Sequence, residues 1–180
     1  MSDSIAANYL ASVRKSFRTY KTLGDKALAQ LAADEDVLRA IGEESNSIAV
    51  IVKHLRGNMR SRWTDFLTSD GEKPDRKRDE EFVVGERVTR GDVLGWWEEG
   101  WGYALRALDA LGPDDLTTTV HIRGEAHTVV EAINRQIAHA AYHVGQIVYL
   151  AKQWRGAGFQ SLSIPRGQSE EVNRRTFGGR

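Results

Sequence analysis

Ile137-Ala138-His139-Ala140-Ala141-Tyr142-His143-Val144-Gly145-Gln146-Ile147-Val148 lies at the centre of a stretch nearly free of charge, and its reading decides the fold. Apolar residues recur at helical spacing from about Val129 to Trp154, with a capping box of Thr128 and Glu131 at the start and Gly156 just past the end. A helix of about 26 residues is roughly 39 Å long, enough to span a whole helical bundle. His139 and His143, four residues apart, fall on one face of it, where an unpartnered polar ring is costly. Each ring could donate to a carbonyl, or both could converge on a divalent metal, for which neutral imidazole is a common ligand. The pair alone leaves both readings open.

Outward from this helix the chain is punctuated by three prolines, Pro74, Pro113 and Pro165, each where the periodic pattern breaks. A first helix is expected from about Ile5 to Leu31, with Tyr9, Val13, Phe17, Tyr20, Leu23, Ala27 and Leu31 on its apolar face. A polar link through Asp34-Glu35-Asp36 and Gly42 leads to a second, about Ser47 to Thr68, capped by Asn46 or Ser45. Its apolar stripe runs Ile48, Ile51, Val52, Leu55, Met59, Trp63, Phe66. From Ser69 to Gly91 both charge signs are dense, and a long exposed connection is expected. Asp92 can cap a third helix whose stripe of Val93, Trp97, Trp101, Ala104 and Leu108 ends at Gly112-Pro113. The segments Thr117–Ile122 and Glu125–Thr128 flank Arg123-Gly124 and read as a hairpin. Few apolar residues follow Gly158, so the tail over 158–180 is expected to wrap the surface or fray. The expected fold is all-α: a single-domain four-helix bundle over residues 1–180, with a short β-hairpin before the last helix.

Composition bounds the function. Lys plus Arg and Asp plus Glu each total 25, so the formal net charge is zero and no global field draws in nucleic acid or an anionic membrane. The chain has no cysteine, which excludes disulfides, thiolate zinc sites and a protein thiol nucleophile. The start, Met1-Ser2-Asp3-Ser4-Ile5-Ala6-Ala7-Asn8, has neither the basic beginning nor the apolar core of a signal peptide, and no run is apolar enough to span a bilayer. A cytoplasmic protein is the expectation.

A catalytic metal on two histidines needs a third ligand, and His54 is the best candidate. It adjoins Leu55, one turn from Ile51, at the border of the second helix's buried stripe. Three histidines would leave a fourth position open for water or substrate. Taken alone, His54 is more readily a half-buried ring donating to a carbonyl. Asn58, one turn after His54, and Gln136 and Gln146, three residues outside the histidine pair, could orient a ligand or simply fill a wet core. Trp96 lies about 100° off the third helix's stripe and could line a pocket mouth or a subunit interface. His121 and His127 are expected to be exposed on the hairpin. No nucleophile elbow, phosphate-binding glycine loop or H-E-x-x-H is present, since Ala140-Ala141-Tyr142 separates the histidine pair. The basic run Lys73-Pro74-Asp75-Arg76-Lys77-Arg78 is offset by Glu72, Asp75, Asp79, Glu80 and Glu81 and reads as a solvated loop.

A histidine on the second helix, H-x-x-x-H on the last and four helices resemble the DinB-like superfamily, the DinB/YfiT-like metalloenzymes. More closely, His54-Leu55-Arg56-Gly57-Asn58-Met59-Arg60-Ser61-Arg62-Trp63-Thr64-Asp65-Phe66-Leu67, Asp70-Gly71-Glu72-Lys73-Pro74, Arg78-Asp79-Glu80-Glu81-Phe82 and Ser163-Ile164-Pro165-Arg166-Gly167-Gln168-Ser169 resemble its DUF1572 branch. The resemblance implies that His54, His139 and His143 form a metal triad for zinc or nickel, and that the protein is a homodimer. It also implies transfer of a low-molecular-weight thiol such as bacillithiol to an electrophile, or isomerisation with mycothiol. With no thiol of its own, the chain would take its nucleophile from such a cosubstrate. The rival expectations are a noncatalytic metal-stabilised dimeric module linked to stress and a hydrolase using metal-bound hydroxide. The latter would want an acid/base carboxylate that neither histidine-bearing face shows.

Overall fold

Leu10, Val13, Phe17, Ala27 and Leu28 form the buried stripe of helix α1 (Ile5–Leu28) in a computed structural model that describes residues 5–178. Met1 to Ser4, where the leader reading begins, and Gly179 and Arg180, which close the tail, lie outside the described residues. Helix α1 ends three residues before the expected Leu31. There Gln30 and Leu31 donate to the carbonyls of Ala27 and Leu28, tightening the last turn, and Leu31 stays buried beyond the helix. The polar link contains a short helix, α2 (Asp34–Leu38), with Asp34, Glu35 and Asp36 at its positive end and Val37 buried.

Helix α3 (Ile48–Trp63) is capped by Ser47, whose hydroxyl accepts from the Val50 amide, instead of by Asn46 or Ser45. It stops at Trp63, short of Thr68, and Asp65 then takes a left-handed φ of 46°. Phe66 is nevertheless buried, which is why the apolar pattern outruns the helix. Helix α4 (Arg90–Ala110) is capped by Thr89, with Asp92 as the third-residue partner of a capping box instead of the cap. Strands β1 (Thr119–Ile122) and β2 (Glu125–Thr128) pair antiparallel, and both turn residues, Arg123 and Gly124, have positive φ as a two-residue hairpin turn requires. Helix α5 (Val129–Arg155) begins at the expected capping box and stops at Gly156, whose φ is 52°. The tail forms one exposed helix, α6 (Ser169–Phe177), after Gln160 has exchanged hydrogen bonds with Gln30 in the turn that follows α1.

The protein is thus mostly helical, with one small hairpin before the last long helix. Helix α3 packs on α4, α1 on α5, and the two pairs meet through α1–α4 and α3–α5. Phe17, Trp63 and Trp101 meet edge to face in the core between them. Helices α3 and α4 approach closely at Gly100, where a Cβ would lie 2.9 Å from the Arg56 Cα. No helix among the described residues is long and apolar enough to cross a membrane.

The connection between α3 and α4 departs most from expectation. It folds back as a 3₁₀ turn over Arg78–Phe82 packed against α3, with Glu81 buried and the Arg76 side chain almost wholly so. Asp70 pins it to the hairpin, accepting from the amides of Arg123 (2.9 Å) and Gly124 (2.7 Å). Arg76 and Glu81 escape solvent because they pair with each other and, through His54, with α3, whereas Asp75, Lys77, Asp79 and Glu80 stay exposed as expected.

Candidate metal centre

His54 projects from α3 toward α5, from which His139 and His143 project one turn apart. The structure brings the three together: one ring nitrogen from each lies within 4.8 Å of the others, and the His54 and His139 Nε2 atoms are 3.2 Å apart. Bonds of about 2.0–2.1 Å to a tetrahedral ion would place two ligand nitrogens roughly 3.3 Å apart. His54 and His139 therefore have the spacing of a ligand set, while the trio as a whole, within 4.8 Å, is more open.

Each ring's protonation follows from its partners. His54 donates its Nδ1–H to Glu81 Oε2 at 2.8 Å. Burial pushes the Glu81 carboxyl up, but its bonds from His54 and from Arg76 outweigh that and hold it below the usual range, so it accepts as a carboxylate. His143 Nδ1 donates to Gln146 Oε1 at 2.8 Å. Both contacts place the ring's lone pair on Nε2, which in His54 faces His139 Nε2, the arrangement in which outer partners orient metal-ligating histidines. Burial, reinforced by His143 and His54, lowers the His139 pKa to about 3. Burial likewise lowers His143 to about 4, against the opposing effect of Gln146. At neutral pH these two rings are uncharged, as ligands must be.

Two ring atoms, His139 Nδ1 and His143 Nε2, are buried with no hydrogen-bond partner among the described residues. Orphaned buried polar atoms cost free energy, and a bound ion at the centre would recover that of His143 Nε2; His139 Nδ1 lies on the other side of its ring from the Nε2 that faces His54. The donor set and the unmet valence at His143 Nε2 both fit a divalent cation, so the trio could hold one.

A cavity of about 420 Å³ adjoins the trio, with His54, His139, Asn58, Gln136 and Tyr142 in its wall. Asn58 Oδ1 and Gln136 Nε2 are buried there without partners among the described residues, which puts two of the three expected ligand-orienting residues in the cavity wall. Gln146 is also close, but it serves His143 and borders a separate groove with Ile41 and Tyr149. Trp96 is not part of this site: it lies half-buried against the core, with the Lys53 ammonium 5.9 Å from its ring centroid. His121 is exposed as expected, whereas His127 is half-buried, with its Nε2 3.6 Å from Glu125.

Sequence reasoning missed Glu81 and a group of arginines. Glu81 gave no periodic signal, because its position depends on the fold-back of a charged loop. Arg62 and Arg135 did give one, since they lie eight residues after His54 and four before His139, on the same helical faces.

The chain matches the family described as "Protein of unknown function (DUF1572)" over residues 4–168. No curated protein matches it. The match covers α1 to α5 and every residue of the site described above, and the chain therefore belongs to the DUF1572 family.

Proposed function

We propose that this protein is a divalent-metal-dependent enzyme that transfers a low-molecular-weight thiol to an electrophile. In this reading it is a four-helix bundle of the DinB-like superfamily, acts as a homodimer, and holds zinc or nickel through His54, His139 and His143. The carrying observation is the convergence of three histidines beside a cavity of small-molecule size. A divalent ion held there would supply Lewis acidity at an open position and lower the pKa of a thiol reaching it.

The chain's own residues do the remaining work. Glu81 and Gln146 fix the tautomers and ring orientations of His54 and His143. Asn58 and Gln136 offer an acceptor and a donor to orient the cosubstrate, so that thiol and electrophile meet in a fixed geometry. The sulfur must arrive with the ligand, because the chain has no cysteine. No Asp or Glu lines the cavity, which favours thiol transfer over hydrolysis with a carboxylate base.

The test is turnover of a model electrophile by zinc- or nickel-loaded protein with bacillithiol, with mycothiol and without thiol, beside His139→Ala as control. Turnover that needs both thiol and metal supports the reading; turnover without thiol marks a hydrolase. The orphaned histidine nitrogens also support a second reading, a noncatalytic metal-stabilised module. Marked thermal stabilisation by metal with no turnover on any thiol would favour it.

A further inference from the structure

We propose that the cavity beside the histidines is an anion pocket that takes a small organic dianion, bound through Arg62 and Arg135. The proposal deepens the thiol-transfer reading by naming the charge of the molecule that enters. It rests on that reading only for the ligand's role.

A chain of zero net charge concentrates five guanidiniums, those of Arg62, Arg76, Arg78, Arg123 and Arg135, in the wall of one cavity that no carboxylate lines. Three of them are committed. Arg76 is held by Glu81 at 2.8 Å and Glu72 at 3.1 Å, and Arg123 reaches the same Glu72 carboxylate at 3.2 Å. Arg78 stands over the Phe82 ring and 3.8 Å from a fully solvated Asp79. Arg62 and Arg135 have no hydrogen bond or ion pair among the described residues. Arg62 is 6% exposed and its Nη1 is fully buried without a partner.

A buried guanidinium without a partner is costly, and only a mobile anion is left to supply one. Burial, with Arg135, Arg76 and Arg123 adding to it and Glu72 opposing, lowers the Arg62 pKa to about 10, so it still carries its charge at neutral pH. Glu72 and Glu81 pair with Arg76 and Arg123, Asp79 pairs with Arg78, and Asp70 is already engaged by three backbone amides. Two guanidiniums, those of Arg62 and Arg135, are left without a counter-charge among the described residues, which sets the ligand as a dianion. A guanidinium fork matches a carboxylate or a phosphate, and these share the chemistry the pocket recognises. Arg135 sits about one helical turn, roughly 6 Å, from His139 along α5, and Arg62 about two turns from His54 along α3. A ligand anchored by its anionic end would therefore extend its other end toward the trio.

Calorimetric titration of metal-free protein near neutral pH with succinate, inorganic phosphate and succinamide tests this. Wild type is expected to bind succinate or phosphate and not the uncharged succinamide, and the tighter of the two identifies the anion as carboxylate or phosphate. Arg62→Gln and Arg135→Gln are each expected to weaken that binding about tenfold or more. Arg135 is exposed, so its variant decides the matter if Arg62→Gln fails to fold. No binding of either dianion by wild type, succinamide binding as tightly as succinate, or wild-type affinity in the folded variants would overturn the proposal. Because no metal is present, that failure would leave the metal reading standing; loss of metal uptake would equally leave the anion pocket standing.

Discussion

Glu81 determines what His54 can offer. By accepting the Nδ1–H, the carboxylate turns the His54 Nε2 lone pair toward His139 and the centre, and Arg76 keeps it ionised. Glu81→Gln keeps an oxygen acceptor but removes the charge, and is expected to weaken zinc binding about 10- to 100-fold, read by competition with a chromogenic chelator. The histidines themselves imply an acid sensitivity. Folded His139 and His143 take up protons only near about 3 and about 4, whereas the unfolded chain does so near about 6.5. The unfolded state thus binds more protons in between, so stability is intact above about pH 6.5 and falls as the pH drops toward the folded values. Thermal unfolding of metal-free protein is expected to show a lower Tm at about pH 5 than at about pH 7.5. The drop should shrink in a His139→Ala, His143→Ala double variant; an equal drop there would assign it to other groups.

Each helix of the site carries its function on a face shaped by its neighbours. On α3, Gly57 admits the carboxylate: a Cβ there would sit 2.1 Å from Glu81 Oε1 and 2.6 Å from its Cδ. Alanine in a helix interior is ordinarily favoured over glycine by about 1 kcal/mol. Gly57→Ala should bring no such gain, and should weaken metal binding by displacing Glu81 from His54. Metal titration alongside urea unfolding checks both; a more stable variant with unchanged affinity would remove Glu81 from the account. Helix α5 was legible in the sequence from end to end because its capping box, periodicity and terminal glycine agree. Helices α1 and α3 were read too long, since Leu31 and Phe66 continue the apolar rhythm in turns that follow the helices. Periodicity records burial, and burial does not require an α-helical hydrogen bond.

At the scale of the molecule, the helical fold and the hairpin could be anticipated from local pattern and helix geometry, whereas the meeting of three distant histidines was implied by the family resemblance, since the residues alone left His54 open. The role of the α3–α4 connection could not be anticipated. Its composition describes a solvated segment, yet Arg76 and Glu81 bury each other against α3, which becomes visible only once the chain folds back. The arginine-lined cavity is likewise assembled from α3, that connection, the hairpin and α5 together. The claim on which the account turns is that His54, His139 and His143 hold one divalent ion between α3 and α5. Elemental analysis of purified wild type beside His54→Ala, His139→Ala and His143→Ala tests it most directly. A stoichiometric divalent metal in wild type and a large loss in each variant is the expected result; equal metal in all four proteins, or none in any, would contradict it.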